Sequence, residues 1–565
     1  MRHAAIAILV SMTFVFPVAA ADRTEGEMFA TRSVVHSRHG MVAAAHPLAA
    51  QIGIDILKRG GNAVDAAIAV NAALGFMEPV SCGVGGDLFA IVWDAKSGKL
   101  HGLNASGRAP AGLTADQVPA EPDGTIPPFT PYTWSIPGAV DGWFELHGKF
   151  GKLPMSEILA PAIRSAQEGE PVPQVIAAAW AVGAARHRDF AGFATTFMPE
   201  GHAPVTGEIF RNPGLARTYR ALAADGRDAF YRGAIARAIV KLSDEVDGPI
   251  AMQDLANHTS EWVEPLSTDY RGVTVYELPP NGQGIAALQM LNILERYDLA
   301  AMGRNSTEFW HTMVEAKKIV YEDRARFYAD PAFAEVPVSG LLSRDYAKKR
   351  AALIDPKRAA ARYDAGQPAL NRGDTTYLVT ADSEGNMVSL IQSNYWGFGS
   401  GHAVEGWGFG MQNRGALFNL DPESPNYLEP GKRPFHTIIP AFAMRDGKPW
   451  LAFGLMGGDM QPQGHAQIIV NLIDFGMNLQ EAGDAPRFFH TESSEPTGTL
   501  MTEGGTLHLE SGVSPKIRRE LARMGHYVTD TVGGFGGYQA IARDPKTGVY
   551  SGATESRKDG CAIGY

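Results

Sequence analysis

The residues best suited to chemistry lie in one stretch of this sequence, NRGDTTYLVTADSEGNMVSLIQSNYWGFGSGHAVEG at 371–406. Apolar residues alternate on both sides of Ser383-Glu384-Gly385-Asn386, the pattern of two strands joined by a turn. A two- or four-residue loop sets Thr375 opposite Asn394, and a bulge shifts it to Ser393. Either register brings the Ser393 hydroxyl near Thr375. A threonine at the head of a strand is ordinary by itself, since β-branched residues are common there. Its hydroxyl is a weak nucleophile unless a base is adjacent. Two glycines, Gly457 and Gly458, follow a strand expected to end near Met456. Such a pair makes a turn or presents backbone N–H groups to developing negative charge. Other hydrolytic centres lack their residues. Phe398-Gly399-Ser400-Gly401 does not fit G-x-S-x-G, and the 16 histidines show no H-E-x-x-H or comparable pairing. No metal site and no cofactor site is read.

The chain that must position these residues has 565 residues, with 50 Lys plus Arg against 61 Asp plus Glu, a formal charge of −11. Its basic residues are spread singly among acids, which argues against nucleic acid as a partner. The 45% hydrophobic share excludes a disordered or collagen-like chain. Met1, Arg2 and His3 precede an apolar run, Ala4 to Val18, that ends in Ala19-Ala20-Ala21. This is the shape of a signal peptide cleaved near residue 21, so the mature protein is expected to be periplasmic or secreted and free of the membrane. Two cysteines, Cys82 and Cys561, are too few for a disulfide scaffold, and two buried thiols are expected. From His46 the spacing predicts two helices broken at Gly60-Gly61, the second capped by Asn62. LFAIVWD at 88–94 and KLHGLN after Lys96-Ser97-Gly98 predict a hairpin. Residues 140–370 read as mostly helical, and strands dominate after 372. Helices flanking a large mixed sheet is the class these patterns give.

Several stretches in fixed order resemble the γ-glutamyltransferase family of N-terminal-nucleophile hydrolases. They are GMVAAAHPLAAQIGIDILKRGGNAVDAAIA at 40–69, EPVSCGVGGDLF at 78–89, SIPGAVDGWFELHGKFGKLP from Ser135, and DTTYLVTADSEGN at 374–386. GKRPFHTIIPAF at 431–442, GLMGGD at 454–459 and the terminal RKDGCAIGY complete the likeness. The resemblance implies a four-layer αββα sandwich and an inactive precursor that cuts itself between Asp374 and Thr375. Residues 22–374 and 375–565 would then stay together as a heterodimer, open to further pairing, and act on a small-molecule amide. The new α-amine of Thr375, with a pKa near 8, would be the base that the hydroxyl needs. By the same resemblance Ser393 holds the Thr375 hydroxyl, and Gly457 and Gly458 form the oxyanion site.

The family's substrate-binding residues are altered. Its carboxylate-binding Arg falls on Ser106, with Arg108 two residues on. Its Asn falls on Tyr395, its Gln and Asp on Arg414 and Leu417, and its Ser-Ser pair on His436-Thr437. A buried ammonium without an acidic partner is costly, so recognition of an α-amine is expected to be lost unless Glu405 replaces the missing acid. Arg108, Arg414 and His436 are instead candidates to bind a carboxylate. That is the pattern of oxamate amidohydrolase and glutaryl-type cephalosporin acylase relatives. The acyl donor, γ-glutamyl or an amine-lacking group, stays open, and a non-catalytic exported binding protein is the alternative of another class.

Overall fold

Fourteen strands form the two large sheets, and five of the twelve neighbouring pairs are hairpins, whose short connections force them antiparallel. The computed structural model describes residues 24–364 and 374–565, with the backbone alone for Asp374 and Thr375. The expected signal peptide lies outside the described residues. In chain order the strands are β1 (Val35–Ser37), β2 (Met41–Ala44), β3 (Asp87–Asp94), β4 (Lys99–Ala105), β5 (Glu261–Val263), β6 (Leu266–Tyr270) and β7 (Val273–Glu277). After the junction come β8 (Asp374–Ala381), β9 (Met387–Tyr395), β10 (Ala441–Arg445), β11 (Lys448–Met456), β12 (Gly537–Arg543), β13 (Tyr550–Thr554) and β14 (Cys561–Gly564). One sheet runs β1-β13-β12-β11-β10-β7-β6 and the other β14-β2-β8-β9-β3-β4-β5. Every pairing in both is antiparallel. The mixed sheet expected from residue patterns is thus replaced by two antiparallel sheets, because the connections, five of them hairpins and the rest long, all return the chain antiparallel to its neighbour.

The sheets pack face to face. The Tyr377 ring of β8 lies against Gly454 of β11, where a Cβ would come within 2.5 Å of it. Helices α1 (Pro47–Lys58) and α2 (Ala63–Met77) cover the β8 sheet. Asn62 caps α2 by accepting from the Val64 and Asp65 N–H groups, as its residue type predicts. Helices α3 (Gly284–Leu294), α4 (Thr307–Phe327) and α5 (Met460–Ile473) lie on the other side and share one apolar core with the β11 sheet. The result is the αββα sandwich. Both sheets contain strands from before and after residue 375, paired with one another. Cys82 and Cys561 are free thiols, Cys82 buried but Cys561 half-buried, because it opens the edge strand β14. No described helix is long and apolar enough to cross a membrane.

The β8–β9 turn is fixed by a carboxylate. Asp382 accepts from the Glu384 and Asn386 N–H groups at 2.9 and 3.1 Å, and from the Ala63 N–H at the start of α2 at 2.9 Å. Asp382→Ala is expected to destabilise the protein by roughly 1–3 kcal/mol, the cost of stranding such donors, seen as a lowered thermal midpoint. An unchanged midpoint would show that the turn holds without it.

Candidate active site

Strand β8 pairs with β9 from Thr376↔Gln392 to Ala381↔Met387, but Asp374 pairs with Tyr395. One residue, Thr375, therefore stands against two, Ser393 and Asn394, which makes a β-bulge. Bulges bend a strand and leave a residue out of the ladder, and this one falls at the candidate nucleophile. The neighbouring positions are held tightly. The Tyr395 N–H donates to the buried Ser393 Oγ at 2.8 Å, and Tyr395 itself has a φ of 81°. Thr376 Oγ1 donates to Glu78 at 2.7 Å, and burial pushes the Glu78 carboxyl up from its ordinary range. Gln392 accepts from the Gly83 N–H at 3.1 Å. The 78–86 segment thus runs directly over the end of β9, and a Cβ on Gly86 would lie 2.4 Å from the Ser393 carbonyl oxygen.

The second component is the turn from β11 into α5. Gly457 and Gly458 have φ of 117° and 57°, conformations that glycine adopts without steric cost. Among the described residues neither of their N–H groups is taken by an acceptor. The Gly458 carbonyl accepts from Gln283 Nε2 at 3.0 Å, and Gln283 also donates to the Thr437 carbonyl at 2.7 Å. Arg324 of α4, fully buried, donates to Gln283 and to Asp459 at 2.7 Å each. The peptide planes of the glycine turn are thereby fixed from behind by a glutamine and an arginine.

Arg414 is the unusual cation. It is fully buried, donates from one nitrogen to Thr437 Oγ1 at 2.7 Å, and stacks over the Tyr395 ring at 4.6 Å. Its Nε and Nη2 have no partner among the described residues. Burial lowers its pKa to about 10, so it stays charged. A buried guanidinium with two unused N–H-bearing nitrogens is suited to a carboxylate.

The other proposed anion binders are placed differently. Arg108 is paired with Glu261 at 2.6 Å and Asp330 at 3.6 Å, so its charge is already neutralised. His436 lies 3.1 Å from Asp87 through Nε2 and accepts the Ile438 N–H through Nδ1. Burial, aided by Arg414, lowers its pKa to about 3. It is a neutral ring that donates to Asp87, not a cation for substrate. Asp87 also accepts from the Gly107 N–H at 2.9 Å and from Gln412 at 2.8 Å. Ser106 hydrogen-bonds Asn104, and Leu417 is buried in the apolar core. Glu405 is exposed and close enough to Lys241 to act on its charge, so it does not replace the missing acid.

Two cavities flank the glycine turn. One of about 520 Å³ is lined by Met456, Gly457, Trp396, Phe489, Phe535 and Lys558 among others. The second, about 280 Å³, is lined by Asp459, Trp396, Phe489, Lys317, His490 and Glu495 among others. Trp396 and Phe489 wall both. Burial pushes the Lys317 ammonium well down and the Glu495 carboxyl, beside Asp459, well up. Asp459 was within reach of sequence reasoning, since it follows the glycine pair. Lys317 and Glu495 carry no local motif, and only the fold brings them together.

A bulged strand with a threonine in the bulge, a glycine turn with free N–H groups and a buried unsaturated cation form a centre for acyl transfer. The description Gamma-glutamyltranspeptidase matches residues 49–565, and the chain belongs to that family of amidohydrolases. It is 36% identical over 548 residues to the glutathione hydrolase-like YwrD proenzyme of Bacillus subtilis (strain 168), covering 94% of this chain and 99% of that one. It is 35% identical over 541 residues to the oxamate amidohydrolase proenzyme of Klebsiella pneumoniae, covering 94% and 99%. The crystal structure of cephalosporin acylase from Bacillus halodurans superposes with a TM-score of 0.88 at 42% identity, covering 99% of both chains.

The His436 assignment has a signed pH consequence. Its folded pKa of about 3 lies below the ordinary unfolded value of about 6.5, so only the unfolded chain takes up this proton between those values. The stability it contributes is complete above about pH 6.5 and is lost as pH falls. Relative to His436→Gln, the wild type should lose about 2 kcal/mol between pH 7 and pH 5, measured by denaturant unfolding. A pH-independent difference would mean that folding leaves the ring at its ordinary pKa.

Proposed function

We propose that this protein is a self-processing amidase whose nucleophile is Thr375, released by a cut between Asp374 and Thr375. The Thr375 hydroxyl attacks the amide carbonyl, its own α-amine takes the proton, and the amine half of the substrate leaves with a proton returned from that amine. The Gly457 and Gly458 N–H groups meet the oxyanion, and Ser393 positions the hydroxyl. Water then attacks the acyl-threonine ester and releases the acid. The interleaving of both segments in both sheets supports a stable heterodimer after cleavage. The Met1–Ala21 pattern supports export to the periplasm or medium.

The acyl group is read from Arg414. Its two unpartnered nitrogens call for a carboxylate on a small acyl chain, and Leu417 beside it offers nothing to an α-ammonium. An amine-lacking acyl group such as glutaryl fits best, in keeping with similarity to an oxamate amidohydrolase and a cephalosporin acylase. The buried Asp459 and Glu495 favour a second reading, a γ-glutamyl group whose ammonium meets those carboxyls. It also accords with similarity to a glutathione hydrolase-like protein.

Purified protein should separate into two chains, the smaller being 565 − 374 = 191 residues and beginning Thr-Thr-Tyr-Leu. Thr375→Ala should give one uncut, inactive chain. Normal cleavage in that variant would move the nucleophile elsewhere. Arg414→Met should lower kcat/KM for a glutaryl anilide at least 30-fold, about 2 kcal/mol. A higher kcat/KM for the γ-glutamyl than for the glutaryl anilide would favour the second reading.

A further inference from the structure

The chemistry proposed for Thr375 gives no task to Lys317 of α4, a fully buried lysine on the wall of the smaller cavity. Its neighbour Lys318 is paired with Glu315 at 2.8 Å. Lys317 makes no ion pair among the described residues and meets instead His490 Nδ1 at 3.1 Å and the Ser493 hydroxyl. Its Nζ lies over the Tyr321 ring at 3.8 Å, a contact weaker than the cost of burying an unpaired ion. Burial, and then Arg324, push its pKa well down; Asp459 and Glu495 oppose that fall and Lys318 adds to it. The amine is therefore neutral at rest.

The hydrogen bonds around it have one consistent direction. His490 Nε2 donates to the Gly504 carbonyl at 2.8 Å, which leaves Nδ1 to accept from a Lys317 N–H. Gln463 of α5 holds the His490 backbone through both its N–H and its carbonyl, at 2.9 and 3.1 Å. A neutral amine so held keeps its lone pair for the Ser493 O–H. The backbone before Ser493 is also special, since Glu492 has a φ of 57°, a conformation that residues with side chains seldom adopt and that gathers at functional sites. The Ser493 and Ser494 N–H groups have no acceptor among the described residues, as donors for an oxyanion would. Serine, lysine and histidine all line the cavity of about 280 Å³, a space for a small group only.

From this geometry we infer that Ser493 and Lys317 form a second hydrolytic site, separate from Thr375, that cleaves esters of short, uncharged acyl groups. Ser493 Oγ bonds to the acyl carbon while its proton passes to Lys317 Nζ, and the ester C–O bond breaks as the leaving oxygen takes that proton. Water then attacks the Ser493 ester, gives a proton to Lys317 and releases the acid as that proton returns to Ser493 Oγ. Asp459 and Glu495 on the cavity wall offer nothing to an anionic acyl chain, which sets the acyl group's charge.

4-Nitrophenyl butyrate supplies such a group. Its hydrolysis should fall at least tenfold in Ser493→Ala and in Lys317→Arg, since a guanidinium keeps hydrogen-bond donors but takes up no proton near neutral pH. Acid quenching of the wild type within the first turnovers should place a butyryl increment on the peptide that carries Ser493, a result that needs no variant to fold. The Ser493-dependent rate should rise far less between pH 7 and pH 9 than the tenfold per unit that an ordinary lysine, with a pKa of about 10.4, would give. Equal ester hydrolysis in wild type and Ser493→Ala, a butyryl increment on Thr375 with none on Ser493, or a tenfold rise per pH unit would each overturn the second site. All three would leave the amidase reading untouched, because it is measured on the glutaryl anilide and on the cut before Thr375.

Discussion

The site depends on one departure from regular pairing, the bulge that sets Thr375 against both Ser393 and Asn394. A regular ladder would carry residue 375 into the sheet like its neighbours, with its backbone groups spent on β9. The bulge is stable because its surroundings determine it fully. Ser393 accepts the Tyr395 N–H, Glu78 holds Thr376, and Gln392 holds the 78–86 segment against the strand. The four layers exist around this pair of strands. Both lie near the middle of one sheet, with α2 on one face and β11 of the second sheet on the other. Rigidity there is what acyl transfer requires, because attack geometry tolerates little displacement.

Charge is distributed on the same principle. Asp87 gathers Gly107, Gln412 and His436, and Arg324 links Gln283 to Asp459 behind the glycine turn. Burying such groups is costly unless each is paired, and most here are. Arg414 is the exception at the site: one nitrogen reaches Thr437 and no described carboxylate pairs with it, whereas Arg324 is ion-paired with Asp459 and Glu495. This contrast distinguishes Arg414 from Arg108, although both are arginines near family binding positions.

Much of this was legible in the sequence, for physical reasons. Asn62 and Gly60-Gly61 mark a helix break whatever surrounds them, and the Ser383–Asn386 turn with alternating flanks fixes the β8–β9 hairpin. The two alternative registers followed from loop geometry, and the bulge combines them. What was not legible depends on distant partners. No local pattern tells that His436 will meet Asp87, 349 residues away, and so be neutral. Nor does any local pattern show that Arg108 will find Glu261. Separate sheets look the same as one sheet from strand patterns alone, since alternation reports a buried face and not which layer buries it. Lys317 and Arg324 on α4 and the distant Glu495 carry no local signal, and only the fold brings them beside the glycine turn.

In the reaction proposed, a threonine created at a new chain end carries the acyl group. Trapping it is the direct measurement. The processed protein would be mixed with an activated glutaryl ester, quenched in acid and digested, and the adduct located by tandem mass spectrometry. A single glutaryl mass increment is expected on the peptide beginning at Thr375, absent when the protein is denatured beforehand. An increment on Ser393, Ser400 or any other side chain, with Thr375 unmodified, would contradict it.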